Sequence, residues 1–342
     1  MRSLRSQLFT WFALFVSACA FCATHTYTMV DLGVPAGNDF VVPRAVNASG
    51  QVTGSTGPAD GGTSQVFVYT KGTFTILGTL GGNSGIGNAI NSSGQVAGYS
   101  QNAAGAYRAF ISNGGSLIDI GDLGGGSAVA YGINDAGQVV GSSVTKDGSN
   151  HPFLYSDGKM IDLGTLGSPE GGAWWNSAEG INNAAIVTGY GYTASAGLDG
   201  FTWSNGKMTA LPSLGADWTE AYAINNKGQI TGISATKQGA NHAYIASPNG
   251  TIQDLGAIGK YGITWGFAIN DSGLVVGQAE LDNGDVHAFV HNGTKLLDLN
   301  NLVTKDSGWT LIDARGINNV GQVVCTGLDN NGNEHTFLLT PR

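Results

Sequence analysis

A nine-residue motif, INDAGQVVG at residues 133–141, recurs seven times along the chain with small changes. Each copy is anchored by an asparagine, and successive asparagines are separated by 44, 43, 48, 43, 45 and 48 residues. A period in this range indicates one supersecondary unit that is copied along the chain. The repeat asparagines are Asn47, Asn91, Asn134, Asn182, Asn225, Asn270 and Asn318.

Each period contains four short apolar segments bounded by Gly, Asn or Ser. The first ends at the repeat asparagine, the second is Gln-Val-Val-Gly or a variant, the third is centred on an aromatic residue, and the fourth ends in Asp-Leu-Gly or a variant. These are signals of β-strands, and no segment has a convincing helical period. Four antiparallel strands in each period of roughly 45 residues are typical of a β-propeller blade.

The two ends of the repeat region are split in a way that predicts ring closure. Residues 27–33 form a fourth-type strand, whereas the chain finishes with a third-type strand at residues 334–340. The first strand would complete the last blade, and ring closure would remove the exposed sheet edges that an open array would present to other chains. We therefore predict an all-β fold over residues 24–342: a closed seven-bladed β-propeller with four antiparallel strands per blade.

Composition supports one globular repeat domain and excludes some partners. Glycine contributes 55 of 342 residues, which suits many strands joined by tight turns. The net charge is −9 and no basic patch is present, so a nucleic acid partner is not expected. An acidic body also disfavours binding to anionic membranes by charge. We expect a monomer.

The N-terminus has the features of an export signal. Arg2 and Arg5 precede an apolar run at residues 8–18, and small residues follow at residues 18–20, so residues 1–23 are predicted to be a signal peptide. The expected location is extracellular or periplasmic, with no transmembrane segment in the mature chain. Residues 16–19 also fit a bacterial lipobox, and the alternative is an outer-membrane lipoprotein attached through Cys19.

The sequence predicts neither a metal site nor a cofactor. Cys325 is the only cysteine deep in the mature chain, so no internal disulfide and no zinc cluster are expected. Residues 329–334 begin like a calcium loop but lack the spacing of an EF-hand. The repeated asparagine is expected to build turns, and histidines at the start of third strands are expected to be structural. Those histidines are His151, His242, His287 and His335.

The combination of DLGTLGG-like, AIN, GQVVG and HAF segments resembles the bacterial extracellular HAF-repeat proteins. It is seen here at residues 77–82, residues 162–167 and residues 287–289, among others, and the match spans nearly all of the mature chain. The resemblance implies export and a repeat fold. It implies no established activity, and so it supplies no catalytic residues.

Tryptophan placement is the sharpest indication of a binding site. Five of the six tryptophans in the mature chain lie within nine residues before the repeat asparagine, and all five belong to repeats four to seven. Aromatic rings beside a few polar groups suit stacking on sugar faces, although the same rings could fill the core between blades. The candidate ligand-binding residues are Trp174, Trp175, Glu179, Trp218, Glu220, Tyr261, Trp265, Trp309, Asp313 and Arg315.

The sequence as a whole favours an exported, non-enzymatic binding or scaffold propeller. The concrete form of this hypothesis is a carbohydrate or cell-surface ligand bound on the tryptophan-bearing face. The first alternative is a propeller enzyme, a hydrolase or lyase acting on extracellular glycans with Glu179, Glu220 or Asp313 as acid or base. No catalytic residue is assigned, and the second alternative is a purely structural surface protein.

Overall fold

The computed structural model describes residues 26–167, 175–195, 197–260, 262–304 and 307–342. The predicted signal segment, residues 1–23, lies outside the described residues. The described chain is built from β-strands, with a single 3-10 turn at Leu299–Asn301. The all-β prediction is confirmed, since the structure forms several sheets of four antiparallel strands.

The strands fall into four classes that follow the four segment types of the sequence. The first strands, which end at or just before the repeat asparagine, are β2 (Phe40–Val46), β6 (Gly81–Ile90), β10 (Gly124–Ile133), β14 (Ser177–Ile181), β18 (Gly215–Ile224), β22 (Thr264–Ile269) and β26 (Trp309–Ile317). The second strands are β3 (Val52–Gly57), β7 (Val96–Asn102), β11 (Val139–Thr145), β15 (Val187–Tyr192), β19 (Ile230–Thr236), β23 (Val275–Glu280) and β27 (Val323–Asp329).

The third strands carry the buried aromatic residue, and the fourth strands form the outer edges. The third strands are β4 (Gln65–Thr70), β8 (Tyr107–Asn113), β12 (Asn150–Ser156), β16 (Leu198–Ser204), β20 (Asn241–Ala246), β24 (Val286–His291) and β28 (Glu334–Pro341). The fourth strands are β5 (Thr73–Gly78), β9 (Ser116–Asp119), β13 (Lys159–Asp162), β17 (Lys207–Ala210), β21 (Ile252–Asp254), β25 (Leu296–Asp298) and β1 (Tyr27–Asp31).

Within each repeat the strands pair in antiparallel order from first to fourth. Five sheets have four strands, and an eight-stranded sheet holds repeats four and five, which are joined by one parallel contact between Leu198 and Trp218. In the last sheet the fourth position is taken by β1, which pairs with β28 from Tyr27↔Pro341 to Asp31↔Phe337. The predicted pairing of the first strand with the last is therefore observed.

The repeat asparagine builds the turn between the first and second strands, as predicted. In repeat three the Asn134 Oδ1 accepts hydrogen bonds from the backbone N–H groups of Ala136 (3.1 Å) and Gln138 (3.0 Å). Gly137 completes the turn at φ 75°, a left-handed conformation that favours glycine. The asparagine therefore serves as the acceptor that a tight turn needs.

The same asparagine also connects neighbouring repeats, which the sequence did not indicate. Its Nδ2 donates to the backbone carbonyl of the next repeat asparagine, and Asn318 donates to Asn47 O at 2.9 Å. The seven donor–acceptor pairs are Asn47–Asn91, Asn91–Asn134, Asn134–Asn182, Asn182–Asn225, Asn225–Asn270, Asn270–Asn318 and Asn318–Asn47. The hydrogen bonds form a ring that runs through all seven repeats and returns to its start.

A second set of hydrogen bonds runs beside this ring, between the residues that follow each asparagine. The backbone N–H of Ser92 donates to Asp135 Oδ1, and that of Asp271 donates to Asn319 Oδ1. The same link connects Asp135 to Asn183, Asn183 to Asn226, and Asn226 to Asp271. In repeat one the position is Ala48, whose methyl group offers Asn319 no acceptor.

In the described part of the chain the core consists of seven apolar clusters. Each cluster contains one fully buried third-strand aromatic residue, and several join two successive sheets: Val140 of repeat three, for example, packs with Ala178 of repeat four. Repeat seven also packs on repeat one, since Val324 belongs to the cluster of Val46 and Phe67. The buried aromatic residues are Phe67, Phe110, Phe153, Phe201, Tyr244, Phe289 and Phe337.

Candidate ligand-binding cavity

Every first strand carries a β-bulge at the third residue before its repeat asparagine. In repeat three, Ala130 pairs with Gly141 and Gly132 pairs with Val140, so Tyr131 is the extra residue. A bulge changes the direction in which a side chain points, and bulges are common beside functional sites. The seven bulge residues are Arg44, Asn88, Tyr131, Glu179, Tyr222, Phe267 and Arg315.

The final glycine of the Gln-Val-Val-Gly motif makes room for the bulge. A Cβ atom on Gly141 would lie 1.9 Å from the Val129 carbonyl oxygen, which no side chain tolerates. The glycines at this position in five other repeats would meet the equivalent carbonyl at 1.7 to 1.9 Å. In repeat seven Cys325 replaces the glycine, and β26 has a second irregularity between Leu311 and Asp313.

The seven bulge residues converge on one cavity of about 410 Å³, and Tyr99 of β7 completes its lining. One residue from each repeat therefore faces the same space. The cavity lies on the side of the asparagine ring from which the first strands start, because its lining residues precede the asparagines by three positions. Its wall combines aromatic rings with two guanidinium groups, one carboxyl group and one amide.

Repeats one and seven place two arginines on one side of the cavity. The Nε of Arg315 donates to Asp313 Oδ2 at 2.6 Å, and its guanidinium carbon lies 4.2 Å from the centre of the Phe267 ring. Burial, together with the neighbouring Arg315, lowers the pKa of Arg44. Burial raises the pKa of Asp313, and its Oδ1 has no hydrogen-bond partner among the described residues.

Repeats four and five place two carboxyl groups together. Burial raises the pKa of Glu179 to about 7, and the negative charge of Glu220 adds to the shift. Burial also raises the pKa of Glu220, whose Oε2 accepts a hydrogen bond from the Tyr222 hydroxyl at 2.5 Å. A carboxyl group that titrates near neutrality in a cavity can act as a hydrogen-bond donor or as an acid–base group.

The structure brings four of the ten predicted site residues to this cavity. Glu179 and Arg315 line it directly. Glu220 and Asp313 stand behind the lining, each hydrogen-bonded to a lining residue, namely Tyr222 and Arg315.

The described tryptophans of the predicted site differ in their surroundings. Trp175 is exposed over 70% of its surface, whereas Trp218 and Trp265 are half-buried. Trp309 packs on the core of repeats six and seven, with its ring 5.0 Å from that of Phe337 and 4.5 Å from that of His335. Trp174 and Tyr261 lie outside the described residues.

Six residues of the cavity lining were not identified from the sequence. One signal could have found most of them, because the third position before the asparagine varies between repeats while its two following neighbours stay small and then branched. A position that varies inside an otherwise constant motif indicates a side chain that does not take part in the packing common to all repeats. The missed residues are Arg44, Asn88, Tyr99, Tyr131, Tyr222 and Phe267.

The repeated histidines are structural in the described chain, as predicted. The Nδ1 atoms of His151, His242 and His287 lie 2.8 to 2.9 Å from aspartate oxygens of the adjacent fourth strand, namely Asp162, Asp254 and Asp298. His335 pairs in the same way with Asp31 of β1 at 2.6 Å. Each pair ties the third strand to the outer edge strand.

The residues 329–334 are held by their own hydrogen bonds. Asp329 accepts from the backbone N–H groups of Asn331 and Asn333, and hydrogen bonds from Asn333 lower the pKa of Asp329 to about 2. Within the described ranges, no group of three or more His, Cys, Asp or Glu side chains is placed to hold a metal ion. No helix among these same residues is long and apolar enough to cross a membrane.

Comparison with known proteins supports the fold alone. No family model and no curated protein matches the chain. A structure from a study of two prolyl endopeptidases has a TM-score of 0.59 at 12% identity, covering 92% of this chain and 50% of that one. Virginiamycin B lyase from Staphylococcus aureus has a TM-score of 0.50 at 11% identity, covering 92% of this chain and 99% of that one.

A third match is a fungal lectin from Aleuria aurantia, described as a six-bladed β-propeller. It has a TM-score of 0.38 at 12% identity and covers 92% of this chain and 91% of its own. That score is too low to support an argument. The chain spans about half the length of the prolyl endopeptidase structure. At these identities the first two matches indicate a similar fold only.

Proposed function

We propose that the seven four-stranded repeats are the blades of a closed seven-bladed β-propeller and that its axial cavity binds a compact polar ligand. The ring of asparagine hydrogen bonds, which returns from Asn318 to Asn47, supports closure. Packing of repeat seven on repeat one and the pairing of β1 with β28 support it further.

The observation that carries the binding proposal is the convergence of seven bulge residues, one per repeat, on one cavity. Its volume of about 410 Å³ is in the range of roughly 300–1,000 Å³ that small-molecule sites occupy. A bulge that served the fold alone would need no particular side chain there. The actual side chains are aromatic, amide or charged, which are the types that fix a polar ligand in orientation.

A carbohydrate is the ligand class that we propose. Tyr131, Tyr222 and Phe267 offer apolar ring faces, and Asn88 and Glu179 offer hydrogen bonds between them. A sugar ring presents an apolar face and a polar edge, and an aromatic wall with interspersed polar groups complements both. The exposed Trp175 is proposed as an additional contact at the rim for a longer glycan.

The wider biological proposal is an exported, monomeric binding protein of the bacterial HAF-repeat type. The charged and apolar segment at residues 1–23 supports export, with lipidation at Cys19 as the alternative. Mass spectrometry of the mature N-terminus would distinguish the two, since a lipoprotein would begin at a lipidated Cys19. A chain that retains residues 1–23 would contradict both forms of the export proposal.

The binding proposal is tested by calorimetric titration of the protein with a panel of mono- and oligosaccharides. Phe267→Ala removes an aromatic side chain from the cavity wall, and we expect it to weaken binding by roughly tenfold or more. Phe74→Ala is the matched control, since Phe74 is also half-buried but packs on Phe67 and Tyr69 in repeat one. Binding that survives Phe267→Ala but is lost in Trp175→Ala would move the site to the rim.

One observation favours a second function, catalysis on a glycan. Glu179 has a pKa of about 7 and stands near Glu220, so one carboxyl group could hold a proton while the other is ionised. We expect a glycan-cleaving enzyme to lose turnover in Glu179→Gln while it keeps its substrate affinity. If a glycan binds but is not cleaved, the result supports the non-enzymatic binding function. If no glycan binds, the result favours the structural alternative.

A further inference from the structure

Of the two arginines that line the cavity, Arg44 is the one with no described carboxyl group in ion-pair contact. Arg315 is paired with Asp313, whereas none of the described carboxyl groups lies within ion-pair distance of Arg44. The Arg44 Nε is buried and makes no hydrogen bond. Arg44 as a whole is half-buried, and a charge that is partly removed from water without a counter-charge favours a ligand of opposite sign.

The balance of charge on this side of the cavity is positive. Arg44 and Arg315 bring two positive charges and Asp313 brings one negative charge, which leaves one in excess. Arg315 lines the same cavity as Arg44 and is close enough to contribute to the lowered pKa of Arg44. An anionic group placed here would pair with Arg44 and relieve its repulsion from Arg315.

The opposite side of the cavity would repel an anion. Glu179 lines the cavity in repeat four, with Glu220 behind it in repeat five, and each raised pKa reflects the cost of placing negative charge there. Those carboxyl groups suit hydroxyl groups, which can donate to an ionised carboxylate or accept from a protonated one. A ligand with one acidic end and one hydroxyl-bearing end would therefore bind in a single orientation.

We infer that the ligand of the cavity is an acidic sugar whose carboxylate is bound by Arg44. The guanidinium group is planar and matches a carboxylate through two parallel hydrogen bonds. The neighbouring Tyr99 and Tyr131 rings stand close to Arg44 and would flank the sugar next to its acidic group. This inference rests on the proposed carbohydrate-binding function and adds the chemical class of the sugar.

The test compares uronic acids with their neutral parents by calorimetric titration: glucuronate with glucose, galacturonate with galactose, and the corresponding disaccharides. We expect the acid to bind about ten- to a hundredfold more tightly, as a charge-assisted hydrogen-bonded pair would give. Arg44→Gln should abolish this preference, so that the acid and its neutral parent bind with the same affinity. Lys159→Gln is the control, since it removes one positive charge at an exposed position on β13.

The outcomes separate the inference from the function on which it rests. Equal affinity for acid and parent would overturn the inference and keep the carbohydrate site, whereas no binding of any sugar would overturn both. A preference for sulfated sugars over uronates would assign the pocket to a tetrahedral anion and overturn the carboxylate assignment. If Arg44→Gln fails to fold, the wild-type protein still decides: added salt should weaken uronate binding and leave glucose binding unchanged.

Discussion

At the scale of single residues, the cavity is built from side chains that the fold does not require. Glu179 occupies the position that is arginine, asparagine, tyrosine or phenylalanine in the other repeats, so packing alone cannot explain a carboxyl group there. Its burial has an energetic consequence that depends on pH. The protonated form is favoured in the folded protein relative to the unfolded chain.

Glu179→Gln should therefore change how stability depends on pH. The folded pKa of about 7 lies above the ordinary value of 4.5, so the folded state holds a proton that the unfolded state releases. The favourable contribution of Glu179 to the free energy of unfolding is fully present below pH 4.5 and is lost as the pH rises to 7. The loss is on the order of 1–3 kcal/mol, and above pH 7 the free energy no longer changes through this group. Denaturant unfolding at several pH values measures it, and we expect the difference between wild type and variant to change only in this window.

A parallel difference across the whole range from pH 4 to 8 would contradict the shifted pKa. Glu280→Gln is a suitable control, since Glu280 is a half-buried carboxyl group on β23 and lies outside the cavity lining. Its substitution shows how much of any change follows from removing a half-buried carboxyl group outside the cavity.

At the scale of strands and turns, the bulge of the first strand depends on the motif glycine of the second strand. The bulge brings the carbonyl of the residue five positions before the asparagine over the glycine, and only hydrogen fits beneath it. The glycine of the repeat motif is therefore kept for close approach between two strands. Its backbone needs no positive φ, unlike the turn glycine four residues earlier.

Gly141→Ala should destabilise the protein more than a substitution at a glycine that is merely left-handed. The new Cβ would meet the Val129 carbonyl at 1.9 Å, so the bulge must flatten or the strands must part. We expect a loss of more than about 2 kcal/mol, against about 1 kcal/mol for Gly148→Ala, whose φ is 88° in open space. Urea unfolding gives both values, and equal losses would mean that the bulge yields easily.

The bulge is also the part of the structure that could not be predicted from the sequence. Strand types and turns follow from local patterns, so Asn134 and Gly137 were assigned correctly from neighbouring residues. The turn of Tyr131 into a shared cavity depends on the pairing of β10 with β11, which is not local. The exposed Trp175 and the core-packed Trp309 look alike in sequence, because both precede a repeat asparagine by a few residues.

At the scale of the whole molecule, β1 joins the two ends of the chain. It pairs with β28 along five residues, and Leu32 packs in the cluster of repeats seven and one. A chain that begins at residue 34 would lose this strand and expose the edge of β28. Unpaired edges promote association with other chains.

We expect a chain beginning at residue 34 to be less stable by several kcal/mol than one beginning at residue 26, and to self-associate. Thermal unfolding and size-exclusion chromatography with light scattering would measure both effects. The chain beginning at residue 26 is the matched control, since it keeps all of β1. Equal stability and a monomeric state in both would show that β1 contributes little to the closure.

The lack of a hydrogen-bond acceptor at Ala48 interrupts the second set of hydrogen bonds at repeat one. The chain of backbone bonds beside the asparagines runs from Ser92 round to Asn319, and no such bond joins Ala48 to either neighbour. Both junctions of repeat one therefore have one tether fewer than the junctions between repeats two and seven. Thermal breathing should begin at repeat one, which carries Arg44. Hydrogen exchange should be fastest there, and Ala48→Asn, by restoring an acceptor for Asn319, should slow it. A ligand would then enter the cavity beside repeat one, where fewer hydrogen bonds hold the ring of repeats together.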